Sequence, residues 1–399
     1  MKKVELFQPY LRKHILNFGL LLKNFTFDVK CPPIGHKPTK KLTCDEAFYA
    51  NKNGWRGRLR RALGIPNVRF KYGKGDLLFT YSSLLITNKP YCTYIENGIA
   101  LFDYDATIAK HPIAQFVVKK LILHKNCKRL IFMSRTALKA FLQSLSASKE
   151  ELFSIEKKCV TCYPLIKNPS DTISIRKAPM NGSIKFLYMG TFYIKGGLET
   201  IRVFSKLREK YKNITLTIVT GLDMIYPKDI EIMKKMPGIE ILEASFNEKE
   251  LFENLYNTHD VFVYPTYRDS FGLVLIEVMA SGLPIIGTDQ YATSEMIITD
   301  KNGILIKDHP MKDYDQNTFV IYGKYRQPKD FYTKFFELQK SEGFKQVESD
   351  LYAAMEKVIL EPKLIERYSK GSLDLYNDTF HFQKISDKIE RIFSESIRN

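Results

Sequence analysis

An α/β fold of two domains, each built on a parallel sheet, is what this sequence predicts, and three observations carry the prediction. Short apolar runs alternate with stretches that place apolar residues at helical spacing, and several runs are apolar throughout, like strands covered by helices on both faces. The length of 399 residues suits two or three domains, and the apolar fraction of 44% is that of a globular chain. A polar stretch, IKNPSDTISIRKAPMNGS at 166–183, separates a less regular first half from a regular second half.

Taken in order, DLLFTYSS (76–83), PYCTYIEN (90–97) and RLIFMS (129–134) read as core strands, with helical QFVVKKLILH between the last two. KKCVTCYPLI (157–166) is strand-like and closes the first half. In the second half IKFLYMG (184–190) is a strand ending in glycine, followed by the helix GGLETIRVFSKLREKY. ITLTIVTG (214–221), GIEILEA, VFVYPT (261–266), LPIIGT and ILIK are further strands, with helices between them that include ELFENLYNTHD, FGLVLIEVMASG and a short SEMIITDKNG. Residues 308–350 read as an insertion on the second domain. The expected division is a first domain over 1–180 and a second over 181–375. The last stretch, 376–399, carries an amphipathic helix expected to pack back on the first domain.

Charge divides the chain as sharply as pattern does. The net charge is +17, yet residues 1–180 carry 32 basic and 12 acidic side chains, whereas residues 181–399 carry 29 and 32. The basic half suits an anionic partner, and GWRGRLRRALG (54–64) gathers four arginines around the only tryptophan. That cluster reads as a solvated helix face or as a surface for an anionic acceptor or membrane headgroups. Nucleic acid is disfavoured, because no recognition signature accompanies the charge. No apolar run approaches the roughly 18 to 20 residues of a membrane span, and the N-terminus lacks a signal-peptide pattern. A cytoplasmic location, with peripheral membrane contact through the basic half, is the expectation.

Cysteines 31, 44, 92, 127, 159 and 162 are scattered, with Cys159 and Cys162 forming a lone CxxC. Structural thiols are the plainer reading, a zinc or redox site the alternative. The seven histidines form no metal-binding pattern, so no metal and no cofactor is expected beyond a co-substrate.

YRDSFGLVLIEVMASGLPIIGT (267–288) places two acids at odds with their surroundings: Asp269 just before an apolar run and Glu277 within it. A buried charge is costly unless paired, so Glu277 has a protein partner or awaits a ligand. The helix starting near Phe271 or Gly272 offers unpaired N–H groups to anionic or hydroxylic ligand groups. Glu277, further along it, suits the two hydroxyls of a ribose. Upstream, YMGTFYIKGG (188–197) joins strand, glycine loop, Lys195 and helix, where open α/β sheets bind ligands. Lys195 would hold a diphosphate as a point charge, and Gly190 and Gly196 keep the loop close.

Together these residues resemble the retaining, nucleotide-sugar-dependent glycosyltransferases with the GT-B fold and an E-x7-E motif (family 4-like). HDVFVYPTYRDSFGLVLIEVMASGLPIIGTD (259–289) follows that family's pattern, and ATSEMI and NGILI continue it in order. The resemblance implies two Rossmann-like αβ domains with parallel sheets facing across a cleft. It implies that Glu277 binds the donor ribose and that Asp269 contacts the donor sugar or stabilises its developing positive charge. Amides near Ser270, Phe271, Gly272 and Leu273 would meet sugar and phosphate oxygens. Lys195 would neutralise the diphosphate beside Gly190, and Glu295 would lie near the donor pocket. GDP-mannose is the first donor expected and a UDP-hexose the second, with a glycan, glycoprotein or lipid-linked acceptor. Neither domain offers an obvious nucleophile, so front-face attack without a metal is the expected route.

Two departures stand out. The first acid is aspartate, and Thr191 stands where the family commonly has an arginine, so Arg268 or Arg135 is expected to substitute. In the first domain Glu96 or Asn97 stands where relatives carry a cleft histidine, with a structural turn as the alternative. His111, in AKHP, reads more readily as surface than as a site residue. Two other readings stay open: a glycan- or membrane-binding GT-B protein with a degenerate donor site, and another GT-B enzyme such as a sugar-nucleotide epimerase.

Overall fold

A computed structural model describes residues 2–7, 13–30, 55–166, 175–179, 182–325 and 328–398; Cys31, Cys44 and part of the 166–183 stretch lie outside them. The chain forms two compact units. The first comprises Met1–Leu165, Asp313–Phe335 and Phe382–Asn399; the second comprises Ile166–Lys312 and Phe336–His381. The division differs from the expected one in three places. The change of unit falls at Leu165 rather than 180, the return to the first unit begins at Phe382 rather than 376, and Asp313–Phe335 joins the first unit instead of decorating the second.

The first unit contains β1 (Lys2–Phe7), β2 (Phe25–Lys30), β3 (Val68–Phe70), β4 (Leu77–Tyr81), β5 (Leu84–Ile86), β6 (Tyr91–Ile95), β7 (Cys127–Phe132) and β8 (Cys159–Thr161). Six of them form a parallel sheet in the order β2-β1-β4-β6-β7-β8, while β3 and β5 pair separately. Every residue of β4 and β6 is buried, Thr80 and Thr93 included, which is why both read as core strands. The helix Phe382–Arg398 packs on β4, β6 and β7, where Phe393 meets Phe79 edge-on at 5.0 Å and Phe25 at 5.7 Å. β1 and β2 went unread because Lys3, Glu5 and Asp28 interrupt their apolar pattern. Glu5 is nonetheless enclosed, its carboxylate 3.2 Å from Lys71 Nζ and accepting the Lys74 N–H at 3.0 Å.

Of the CxxC, only Cys159–Thr161 is strand. Burial pushes the Cys159 and Cys162 thiols up to about 12, so both stay protonated at neutral pH, the state of inert thiols. Among the described residues no three His, Cys, Asp or Glu side chains are grouped to hold a metal, and no helix is long and apolar enough to cross a membrane.

The second unit contains β9 (Ile184–Met189), β10 (Ile214–Thr220), β11 (Ile239–Glu243), β12 (Val261–Tyr264), β13 (Ile285–Thr288) and β14 (Gly303–Ile306). All neighbours are parallel, in the order β11-β10-β9-β12-β13-β14. The order reverses direction between β9 and β12. In such sheets the loops leaving the carboxyl ends of those two strands diverge to opposite faces and open a crevice for a ligand. SEMIITDKNG provides only a single turn, Thr293–Glu295, where a short helix was expected.

Candidate functional site

The loops at the β9/β12 switch are 190–196 and 265–272. They are stitched together by backbone: the Tyr267 N–H donates to the Ile194 carbonyl at 3.0 Å. Gly196 caps the helix Gly197–Lys210 with φ of 73°, and a side chain there would stand 2.3 Å from the Pro265 carbonyl, so only glycine permits the approach. Gly190, at φ 144°, lies under Lys195, whose Cγ would be 2.7 Å from an added Cβ. Both glycines thus serve one end, the placement of Lys195. Thr191 supports the same turn through its carbonyl, which accepts the Lys195 N–H at 2.9 Å.

The Lys195 ammonium is mostly buried. It donates to Asp269 Oδ2 at 2.5 Å and to the Arg268 carbonyl at 2.9 Å, and lies 5.4 Å from the centre of the Tyr264 ring. Asp269 is the hub of the arrangement. Its Oδ2 also accepts the Tyr264 hydroxyl, and its Oδ1 accepts the Phe271 and Gly272 N–H groups at 3.1 and 2.9 Å. Burial pushes the Asp269 carboxyl up, but the Lys195 ammonium, the Tyr264 hydroxyl and the Phe271 amide outweigh it and hold the group below its ordinary range. The amides of Phe271 and Gly272, expected to face ligand oxygens, are therefore occupied by Asp269. Leu273 opens the helix Leu273–Ala280, with Gly272 at its N-cap and Ser270 partly exposed before it.

Glu277 lies one and a half turns into that helix and is half-buried rather than enclosed, because the helix presents this edge outward. It has a protein partner: the Tyr256 hydroxyl donates to Oε2 at 2.8 Å. Burial and then the Glu277 carboxylate hold the Tyr256 phenol well above its ordinary range, so it remains a donor. The two alternatives posed for this acid are not exclusive, since a carboxylate accepts more than one hydrogen bond.

Beyond β13, Glu295 is buried in the turn Thr293–Glu295. That turn is held by Thr293 Oγ1, which donates to the Thr288 carbonyl at 2.7 Å and accepts the Gln290 N–H at 2.8 Å. Gln290 reaches back to the Asp269 carbonyl at 3.5 Å and meets His309 Nε2 at 2.9 Å. Burial, aided by Lys312, lowers His309 to about 3, so this imidazole is neutral. Sequence reasoning missed Tyr264, Tyr256, Gln290 and His309. The first two were legible only as hydrophobic positions in a strand and a helix.

In the first unit the expected residues separate by role. Glu96 follows the carboxyl end of β6, and its Oε2 accepts the Tyr81 hydroxyl and, at 3.3 Å, that of Tyr104. Ser82 and Tyr104, joined at 2.9 Å beside it, both have left-handed backbone with φ of 49° and 55°. Strained non-glycine residues of this kind gather at functional sites. Asn97 is a turn residue whose side chain accepts the Ile99 N–H at 3.1 Å. His111 caps the helix Pro112–Leu123 by accepting the Ile113 N–H at 3.2 Å. Arg135 is exposed and begins the helix Arg135–Ser144 after β7.

Comparison with known proteins supports the reading of the second unit. Residues 170–327 match the family of glycosyl transferases group 1. The chain is 23% identical over 249 residues to the capsular polysaccharide biosynthesis glycosyltransferase CapM of Staphylococcus aureus, covering 60% of this chain and 62% of that protein, under two thirds of its length. It is 26% identical over 299 residues to an uncharacterized glycosyltransferase of Methanocaldococcus jannaschii, covering 69% and 72% of the two. In fold it is similar to Anabaena HepE, crystallised with UDP and glucose, with a TM-score of 0.58 over 99% of each chain at 11% identity. The chain thus has the two-domain α/β GT-B fold, and its residues 170–327 are similar to the glycosyl transferases group 1.

Proposed function

We propose that the protein is a retaining hexosyltransferase, moving a sugar from a nucleotide-diphosphate donor to a hydroxyl of a glycan, glycoprotein or lipid-linked acceptor. The observation that carries this is the Lys195 ammonium, fixed by Asp269 at the switch point of the second sheet. There it neutralises charge as the bond between the anomeric carbon and the diphosphate oxygen breaks. The acceptor oxygen bonds to that carbon from the same face, and its proton passes to the departing phosphate oxygen. Glu277 takes the ribose hydroxyls, and Glu295 borders the donor. Glu96 positions the acceptor. With Lys195 supplying the positive charge, no metal is required.

GDP-mannose and UDP-glucose are the donors to compare, the second also because the HepE crystals hold UDP and glucose. Hydrolysis of each should be measured with wild type and Glu277→Ala, with and without chelator. One nucleotide should be released in preference, with chelator making no difference. Glu277→Ala should weaken that donor about 10- to 100-fold, the loss of charge-assisted hydrogen bonds. No release and no nucleotide binding would refute the reading and favour a degenerate donor site.

The arginine absent at Thr191 gives a second test. Removing the Arg268 and Arg135 side chains together should weaken donor binding about tenfold by calorimetry, one charge-assisted contact. Unchanged affinity would mean that Lys195 alone faces the diphosphate.

A further inference from the structure

The helix Trp55–Ala62 in the first unit carries its polarity the wrong way round for a surface helix. Trp55, Leu59 and Leu63 recur every fourth residue, and the Leu63 N–H still donates to the Leu59 carbonyl at 2.9 Å, so the three share one face. That face looks outward: Trp55 is 67% exposed, Leu59 48% and Leu63 47%. Charge is spent on the other side instead. Arg60 Nη1 lies 3.4 Å from Asp103, Arg61 Nη1 lies 3.7 Å from Asp105, and Gly57 is buried. An arginine-rich helix would ordinarily turn its charges to water and its tryptophan inward.

The chain that follows repeats the pattern. Phe70 ends β3 at 76% exposure, Tyr72 is 78% exposed, and Phe70 pairs across the ladder with Ile86, also exposed. Within residues 55–86 there are seven basic side chains and one acidic, Asp76. Arg58 and Lys74 are exposed among the apolar groups. Exposed large apolar side chains this dense mark a surface that meets something apolar. Basic residues beside tryptophan, phenylalanine and leucine fit the boundary between acyl chains and anionic headgroups.

We propose that this surface, from Trp55 to Ile86, seats the first unit on anionic lipid bilayers. The inference does not depend on the chemistry assigned to the second unit. Trp55 and Leu59 enter the headgroup boundary, and Arg58 and Lys74 pair with lipid phosphates. Nucleic acid or an acidic polysaccharide would engage the arginines but give no reason for the outward apolar stripe.

The protein reports on its own binding, because Trp55 is its only tryptophan. The full chain is titrated with phosphatidylcholine vesicles, with and without phosphatidylglycerol, following tryptophan emission and co-sedimentation. Emission should move to the blue with the anionic vesicles only, and high salt should reverse it. Leu59→Gln with Leu63→Gln, both at exposed positions, should lower partitioning by about tenfold or more. Three results would overturn the proposal: no co-sedimentation, equal binding to neutral vesicles, or undiminished binding by the double variant. Retention on heparin or an oligonucleotide without vesicle binding would assign the surface to a polyanion instead.

Discussion

Lys195→Ala is expected to lower kcat for sugar transfer by about 10²- to 10³-fold, the loss that follows removal of one preorganised group facing developing charge. The argument rests on how much structure converges on this ammonium. Gly190 clears its path, Gly196 lets the two loops touch, and Asp269 and the Arg268 carbonyl hold it at 2.5 and 2.9 Å. Asp269→Asn should cost a comparable amount, because it releases Lys195 and substitutes a neutral amide for the carboxylate that accepts the Phe271 and Gly272 N–H groups. The double variant should lose little more than either single one, since the two side chains act as a unit. The fold should survive Lys195→Ala, because Asp269 keeps three donors in Tyr264, Phe271 and Gly272. Steady-state kinetics of all three variants, with far-UV circular dichroism as a folding control, would decide. Full additivity would show that the pair is not functionally coupled, and near-wild-type kcat in Lys195→Ala would remove the lysine from the mechanism.

Glu199→Gln should stabilise the protein at pH 8 by roughly 3 kcal/mol and at pH 5 by only about 1 kcal/mol. Glu199 is fully buried in the first turn of the helix that follows Lys195. Burial raises its carboxyl to about 7, against the help of the Gln339 amide, the Tyr267 hydroxyl and Arg202. The polar groups around it form a chain: Gln339 Nε2 donates to Glu199, Gln339 Oε1 accepts from Arg202 at 2.5 Å, and Arg202 meets Glu348 at 3.1 Å. In the unfolded chain a glutamate ionises near its ordinary value of about 4.3. Between that value and about 7 the folded protein binds more protons than the unfolded, so stability falls as pH rises through the window. Glutamine is nearly isosteric with the protonated acid and cannot ionise. The difference between wild type and variant in urea unfolding isolates this one group. Parallel pH dependences would show that Glu199 ionises freely and that its enclosure is not as tight as its position implies.

Tyr267 links the two predictions, its hydroxyl against Glu199 and its N–H on Ile194. Glu199 therefore braces the loop that carries Arg268 and Asp269. No pattern announced this. The sequence GGLETIRVF reads as an amphipathic helix, and an acid in its first turn is unremarkable there, a favourable place for negative charge at an exposed helix end. Its burial comes with Gln339 and Glu348, about 140 residues away, which belong to two further helices, Pro328–Lys340 and Lys345–Leu360.

What the sequence determined by itself was everything that depends on spacing along the chain. The strands of the second unit are apolar because both faces are covered, and each strand expected between 184 and 306 coincides with an observed one. Lys195, Asp269 and Glu277 were legible because a glycine loop before a helix, and an acid at a helix start, are local arrangements with local causes. Tertiary structure decided what depends on residues distant in sequence. It hid β1 and β2, whose Glu5 becomes tolerable only when Lys71 and the Lys74 amide arrive. It turned the Trp55 helix outward, because Asp103 and Asp105 claim the arginines of its other face. It drew Asp313–Phe335 into the first unit. It also set Asp269 between Lys195, Tyr264 and two amides, so that the acid expected to contact the donor sugar also holds the site's cation in place. The physical reason is the same throughout: periodicity records which side of an element is buried, whereas a charge's partner is chosen by the fold.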